Sequence, residues 1–186
     1  MDKKILRIAQ TGVFVALLVS LQWGVGALTS AAPPPFNTLV TGSVVNLILI
    51  VSVMTCGLAS GAAVAVLSPV AAFLLPISLG PQIPVIIPFI CAGNLTLVIL
   101  WHFIGNCGIK GERVKYVIAL IIGAMGKVAV LYTGVVMVAL PFLLDLSEQQ
   151  TDTIAAMFSY PQLITASVGG FIAIIILPTL KKAIKK

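Results

Sequence analysis

Residues 36–74 read FNTLVTGSVVNLILIVSVMTCGLASGAAVAVLSPVAAFL, without a single Asp, Glu, Lys or Arg. The run divides at Cys56-Gly57 into two apolar lengths near the roughly 20 residues that carry a helix across the ~30 Å hydrocarbon layer of a bilayer. Moving outward on both sides, the absence of charge extends over residues 8–109, between Arg7 and Lys110. A water-soluble domain has no means of covering its surface with such a segment. The whole chain agrees: 60% of its residues are apolar and 9% charged, against roughly 45–50% and 25% in soluble domains.

Gly and Pro clusters punctuate the apolar sequence at membrane-crossing intervals. They predict an all-α membrane protein, a single bundle of six transmembrane helices over residues 5–28, 37–55, 57–75, 84–104, 113–140 and 162–180. The Pro33-Pro34-Pro35 loop separates the first two helices, and a second Gly/Pro loop near Gly80-Pro81-Gln82 precedes the fourth. Pro141 is expected to close the fifth. The polar stretch 144–160 leads to the sixth, and the capping-box spacing of Ser147 and Gln150 allows a short surface helix there. The first apolar run has a basic start but is too long for a signal peptide and shows no clear cleavage site, so it reads as a retained helix.

The net charge of +6 does not form a nucleic-acid-binding face. Ten of the 11 basic residues gather at segment ends: Lys3, Lys4 and Arg7; Lys110, Arg113 and Lys115; Lys181, Lys182, Lys185 and Lys186. With both termini cytoplasmic, every one of these lies on the inner side, while the three outer connections hold no Lys or Arg. That is the distribution the positive-inside rule produces. The three cysteines, Cys56, Cys91 and Cys107, have neither metal-ligand nor disulfide-framework spacing.

The eleventh basic residue is Lys127, inside the fifth predicted helix. It stands 14 residues beyond Arg113, about 21 Å deep at 1.5 Å per residue. A charge at that depth is expensive and marks a functional position by default. Gly123 and Gly134 share its face and leave room for a ligand or a closely packed helix. Asn94, in the fourth helix, falls at a similar depth and needs partners that a substrate or Lys127 supplies; a helix-joining bond is the competing role. Asn46 in the second helix carries the same two readings, of which packing is the one favoured. Trp101 and His102 read as interfacial anchors. Ser60, within Gly57-Leu58-Ala59-Ser60-Gly61, lacks the spacing of a nucleophile motif and reads as a packing residue. All five carboxylates fall at ends or in loops, which leaves no metal-holding cluster within the spans. A membrane enzyme is therefore not expected, and neither metal nor cofactor is implied. Gly12 and Ala16 on the first helix form a small-xxx-small pair suited to close helix approach.

With its six predicted spans, its inside amino terminus and its extended outer loop after the first helix, the chain resembles the substrate-binding (S) component of energy-coupling factor (ECF) vitamin transporters. The resemblance spans the full length and rests on architecture more than on motifs. It implies high-affinity capture of a small water-soluble vitamin or related metabolite at a bacterial plasma membrane. It also implies partners: a transmembrane coupling subunit and two ATP-binding subunits. Gly12 and Ala16 match the family's Ala-xxx-Ala-like docking motif in spacing, with glycine in place of the first alanine. By the same resemblance Pro34, Pro35, Phe36 and Asn37 form a lid and Gln82 a second rim. Asn94, Lys127, Tyr160 and Gln162 would then contact substrate. No vitamin subfamily signature is present, and Lys127 favours an anionic substrate. Two other classes fit the residues: a self-sufficient secondary transporter or channel, in which Lys127 is a coupling charge, and a non-transport accessory protein, in which Lys127 and Asn94 only pack.

Overall fold

The computed structural model describes residues 3–29, 36–74 and 83–184. Within them the chain is helical, with no strand. We number the helices α1 (Lys3–Thr29), α2 (Phe36–Cys56), α3 (Leu58–Leu74), α4 (Pro84–Gly105), α5 (Glu112–Leu143), α6 (Glu148–Met157) and α7 (Tyr160–Ile184). Five stretches are long and apolar enough to cross a membrane: Ile5–Thr29, Phe36–Cys56, Pro84–Gly105, Glu112–Leu143 and Glu148–Ala183, the last containing α7. The apolar α3 has 17 residues in its described length. The molecule is a multi-pass helical membrane bundle, and its large apolar side chains turned outward, such as Ile8, Phe103, Phe142 and Phe171, suit contact with lipid.

Helix α2 is the hub. It packs against α1, α3, α4 and α7, while α5 closes the ring between α4 and α7. Gly57 makes the α2–α3 turn in the left-handed region, with φ of 94°, where a Cβ would be strained. Helix α1 is peripheral, lying on α2 and α3.

The fifth helix departs from its expected course. Instead of ending at Pro141 it continues to Leu143 through a π-helical stretch, Tyr132–Ala139, in which the Leu140 N–H reaches back to the Val135 carbonyl. The wider turn makes room for the Pro141 ring and tolerates its missing N–H, both of which oppose a regular α-helix. Beyond it, α6 forms as a short helix with a complete capping box. The Gln150 N–H donates to Ser147 Oγ at 3.4 Å, and the Ser147 N–H donates to Gln150 Oε1 at 3.2 Å.

Two apolar clusters fill the interior. One joins Leu49, Val53, Leu97, Trp101, Tyr116, Ala119 and Leu177, at the end of the bundle where Lys115 and Lys181 lie over the Tyr116 ring. The other joins Ile86, Leu131, Val135, Leu140, Ile154 and Phe158, where α6 folds over the opposite ends of α4 and α5. Along α4 and α5 the two clusters leave a gap, and Asn94 and Lys127 stand in it.

Trp101 is not an interfacial anchor. It is fully buried and stacks on Tyr116 with ring centroids 6.2 Å apart. Gly123 of α5 and Gly170 of α7 create its slot: a Cβ on Gly123 would stand 2.9 Å from Trp101 Cδ1, and one on Gly170 3.3 Å from Cζ2. Missing side chains on two neighbouring helices drew the indole inward, where it covers more apolar area than the interface offers. His102, next in sequence, is only half-buried, and its carbonyl accepts from Asn106 Nδ2 at 2.8 Å.

Candidate functional site

Lys127 is 4% exposed, on the α5 face that looks into the bundle. Its ammonium donates to Asn46 Oδ1 of α2 at 2.6 Å and to Asn94 Oδ1 of α4 at 2.8 Å. Each amide spends its own N–H elsewhere. Asn46 Nδ2 donates to Thr165 Oγ1 of α7 at 3.2 Å, and Asn94 Nδ2 to the Ala65 carbonyl of α3 at 3.4 Å. Thr165 Oγ1 in turn donates to the Gln162 carbonyl at 3.0 Å. A single buried polar layer thus ties together five helices.

Glycines set the spacing that makes these bonds short. A Cβ on Gly42 of α2 would come within 2.8 Å of Thr165 Cγ2. One on Gly169 of α7, one turn from Thr165, would come within 2.6 Å of the Ser43 carbonyl and 2.8 Å of the Leu47 amide. On the other side, Gly123 and Gly134 flank Lys127, and helix α4 takes the room they leave: their Cβ positions face Leu97, Trp101 and Phe89. Of the two uses foreseen for that space, close helix packing is the one observed.

The ammonium has three N–H donors, and two are engaged. Among the described residues no carboxylate accompanies it, because Glu112 stands at the start of α5, Asp145 in the loop before α6, and Glu148 and Asp152 on the surface helix α6. Two neutral amide oxygens solvate the charge without neutralising it. Chemically this is a centre with one open donor and an unbalanced positive charge, suited to a carboxylate or another anion. Among the described residues no group of three or more His, Cys, Asp or Glu side chains is placed to hold a metal ion.

Lys127 and Asn94 are brought together, and the other expected contacts among the described residues lie elsewhere. Asn37 is buried with Nδ2 unpartnered, while its Oδ1 accepts from Thr41 Oγ1 at 3.3 Å. It precedes Asn46 by nine residues, roughly two and a half helical turns, which puts it on the opposite side of α2. Phe36 is 55% exposed and Tyr160 65%, both at helix starts. Gln162 Nε2 donates to the Met157 carbonyl at 3.2 Å, fastening the end of α6. Gln82, Pro34 and Pro35 lie outside the described residues.

Two members of the centre were not assigned to it from sequence. Asn46 read as a packing amide, and Thr165 drew no attention. For Asn46 the signal available was depth, since it is a polar residue well inside an apolar span; Thr165, in the second turn of α7, offered none. Ser60 is claimed by helix α1, accepting from Thr11 Oγ1 at 2.7 Å. Gly12 and Ala16 are both exposed, and a Cβ on Gly12 would meet nothing within 4 Å, so this face of α1 is unused inside the chain. Comparisons with protein-family models, with curated proteins and with solved structures find no match to this chain.

Proposed function

We propose that this chain captures a small water-soluble anionic metabolite, a carboxylated vitamin or precursor, from outside a bacterial cell, as the substrate-binding subunit of an ATP-driven ECF-type transporter. The observation that carries the proposal is Lys127, buried at the centre of the bundle, held by two amide oxygens and accompanied by no acid among the described residues. Burying an ammonium without a counter-ion costs several kcal/mol, and an anionic substrate supplies the missing charge.

On this reading α3, whose 17 residues reach the lower limit for crossing a bilayer, is a sixth span beside the five longer ones. An even number of crossings puts both termini on one side, the cytoplasmic one by the placement of Lys and Arg. The exposed Gly12–Ala16 face of α1 is the docking surface for a transmembrane coupling subunit. Release follows from rotation of the whole chain in the membrane, driven by ATP hydrolysis in two partner subunits.

The test is mass spectrometry of small molecules released from the detergent-purified chain, beside a Lys127→Ala control. A water-soluble anion near one per protein, missing from the control, supports capture and names the substrate. Its presence in equal amount in the control removes Lys127 from the site. For docking, Gly12→Leu and Ala16→Leu are expected to prevent assembly with the coupling subunit and to spare metabolite binding. Assembly that survives both changes defeats the docking surface.

A second reading is favoured by the complete bonding of Asn46 and Asn94: the layer is a polar pin that fixes the register of five helices in an accessory membrane protein. A folded chain that carries no metabolite, and whose melting falls far below wild type with Lys127→Met, belongs to that class.

A further inference from the structure

Each amide of the lysine centre lies between a group that only donates and a group that only accepts. The Lys127 ammonium has N–H donors and no acceptor, and it meets Asn46 Oδ1 at 2.6 Å and Asn94 Oδ1 at 2.8 Å. On its other side Asn94 gives Nδ2 to the Ala65 carbonyl, which is an acceptor only. Thr165 behaves as one too. Its single hydroxyl proton goes to the Gln162 carbonyl at 3.0 Å, which leaves a lone pair for Asn46 Nδ2. Neither amide turns over without setting oxygen against oxygen on one side and N–H against the ammonium on the other.

The Ala65 carbonyl is open to Asn94 because of the sequence of α3. Within a helix a carbonyl receives the N–H of the residue four positions on. For Ala65 that residue is Pro69, which lies inside α3 and has no N–H to give. A proline ring also crowds the carbonyl four residues before it, which favours turning that carbonyl off the helix axis. Pro69 and Ala65 are both buried, so the donor that α3 withholds is supplied by Asn94 from across the α3–α4 contact. A proline, which a spanning helix ordinarily disfavours in its interior, thus stands at the one position where its missing N–H serves the lysine centre.

We propose that Pro69 and Thr165 are positioning residues of the lysine centre: Pro69 frees the Ala65 carbonyl for Asn94, Thr165 presents only a lone pair to Asn46, and both amide oxygens are thereby held on Lys127. The ammonium keeps two oxygens around it and one N–H for a ligand. On the capture reading above, on which this consequence rests, the ligand is met through a single carboxylate oxygen. The two amide oxygens oppose a second anionic oxygen beside it. An amide turned the other way would offer N–H donors and admit a more highly charged group.

The experiment uses the full chain in detergent micelles with isotope-labelled lysine, and follows the Lys127 ammonium by proton–nitrogen NMR. Loss of its signal in Lys127→Met assigns it. Buried, bonded protons exchange slowly with water, so wild type is expected to show a protected signal. Pro69→Ala restores an N–H that claims the Ala65 carbonyl and releases the Asn94 amide; protection should fall by roughly tenfold, the worth of one bond to a charged group. Lactate in place of Pro69 gives an ester link with neither ring nor N–H, and should keep the wild-type signal. Thr165→Val should act like Pro69→Ala, and Thr165→Ser should restore protection. Thermal melts certify each variant as folded, and Thr165→Ala serves where Thr165→Val does not fold. A wild-type ammonium without protection overturns the proposal. So does a signal indifferent to either residue, or one that lactate alters as much as alanine does. None of these readouts needs a bound metabolite, so the positioning role and metabolite capture stand or fall separately. In the metabolite assay, a retained anion without a carboxylate overturns the single-oxygen contact alone.

Discussion

Replacing Lys127 by Met keeps an unbranched side chain, one heavy atom shorter, and removes its charge. Two opposing terms follow from the geometry. Relief from holding an ammonium deep in the bundle amounts to about 3 kcal/mol on insertion scales. Against it, Asn46 Oδ1 and Asn94 Oδ1 lose their donor, at about 2 kcal/mol for each buried acceptor left unpaired. The net loss is about 1 kcal/mol, which lowers Tm by about 3 °C in a chain of this size. Asn46→Leu behaves otherwise. It removes the 2.6 Å partner of the ammonium, leaves the charge in place, and deprives Thr165 Oγ1 of its donor. Breaking one side of a buried charged interaction costs about 3–4 kcal/mol, or about 10 °C. Melting of the two purified variants, followed by tryptophan fluorescence in the same detergent, measures both. The reasoning is refuted if Lys127→Met melts far below wild type while Asn46→Leu does not. That order means the charge itself holds the fold together, and the lysine is then a structural pin.

Gly169→Ala places a methyl against the Ser43 carbonyl and the Leu47 amide, backbone atoms that cannot rotate aside, so α7 must move off α2. Overpacking of this kind costs about 2 kcal/mol, whereas Gly12→Ala on the open face of α1 should be neutral or gain up to about 1 kcal/mol of helix propensity; equal melting of the two variants counts against the α2–α7 contact. Trp101→Ala empties the slot between Gly123 and Gly170 and should cost about 3–5 kcal/mol, read from a chemical or thermal melt. A loss below about 1 kcal/mol contradicts the burial of the indole.

Much of the architecture was legible because a bilayer is a severe solvent. It demands long uncharged helices, forces breaks where Gly and Pro cluster, and drives Lys and Arg to segment ends. The helix positions near 37–55 and 84–104 follow from that demand, and so does the depth of Lys127 and Asn94. The continuation of α5 past Pro141 was not legible, since a π-helical stretch is a tertiary accommodation that leaves no hydropathy signal. The capping box at Ser147 was visible as a spacing, but whether a helix followed depended on α6 finding the apolar ends of α4 and α5 to lie on.

Sequence by itself determined that this chain is a membrane bundle with one cation deep inside and no acid within its spans, because hydropathy and charge are properties of single residues. Only the tertiary structure decided what that cation touches. Asn46 and Thr165 stand 119 residues apart, and Lys127 and Asn46 81 apart. Their meeting depends on how closely α2, α4, α5 and α7 approach, and so on glycines such as Gly42, Gly123 and Gly169. The same packing drew Trp101 inward, sent Asn37 to the far side of α2 and left Gly12 and Ala16 facing out. Which face of an apolar helix meets a neighbour is settled by side-chain shape across the contact, and a uniformly apolar helix carries little hydropathy pattern to show that face in advance.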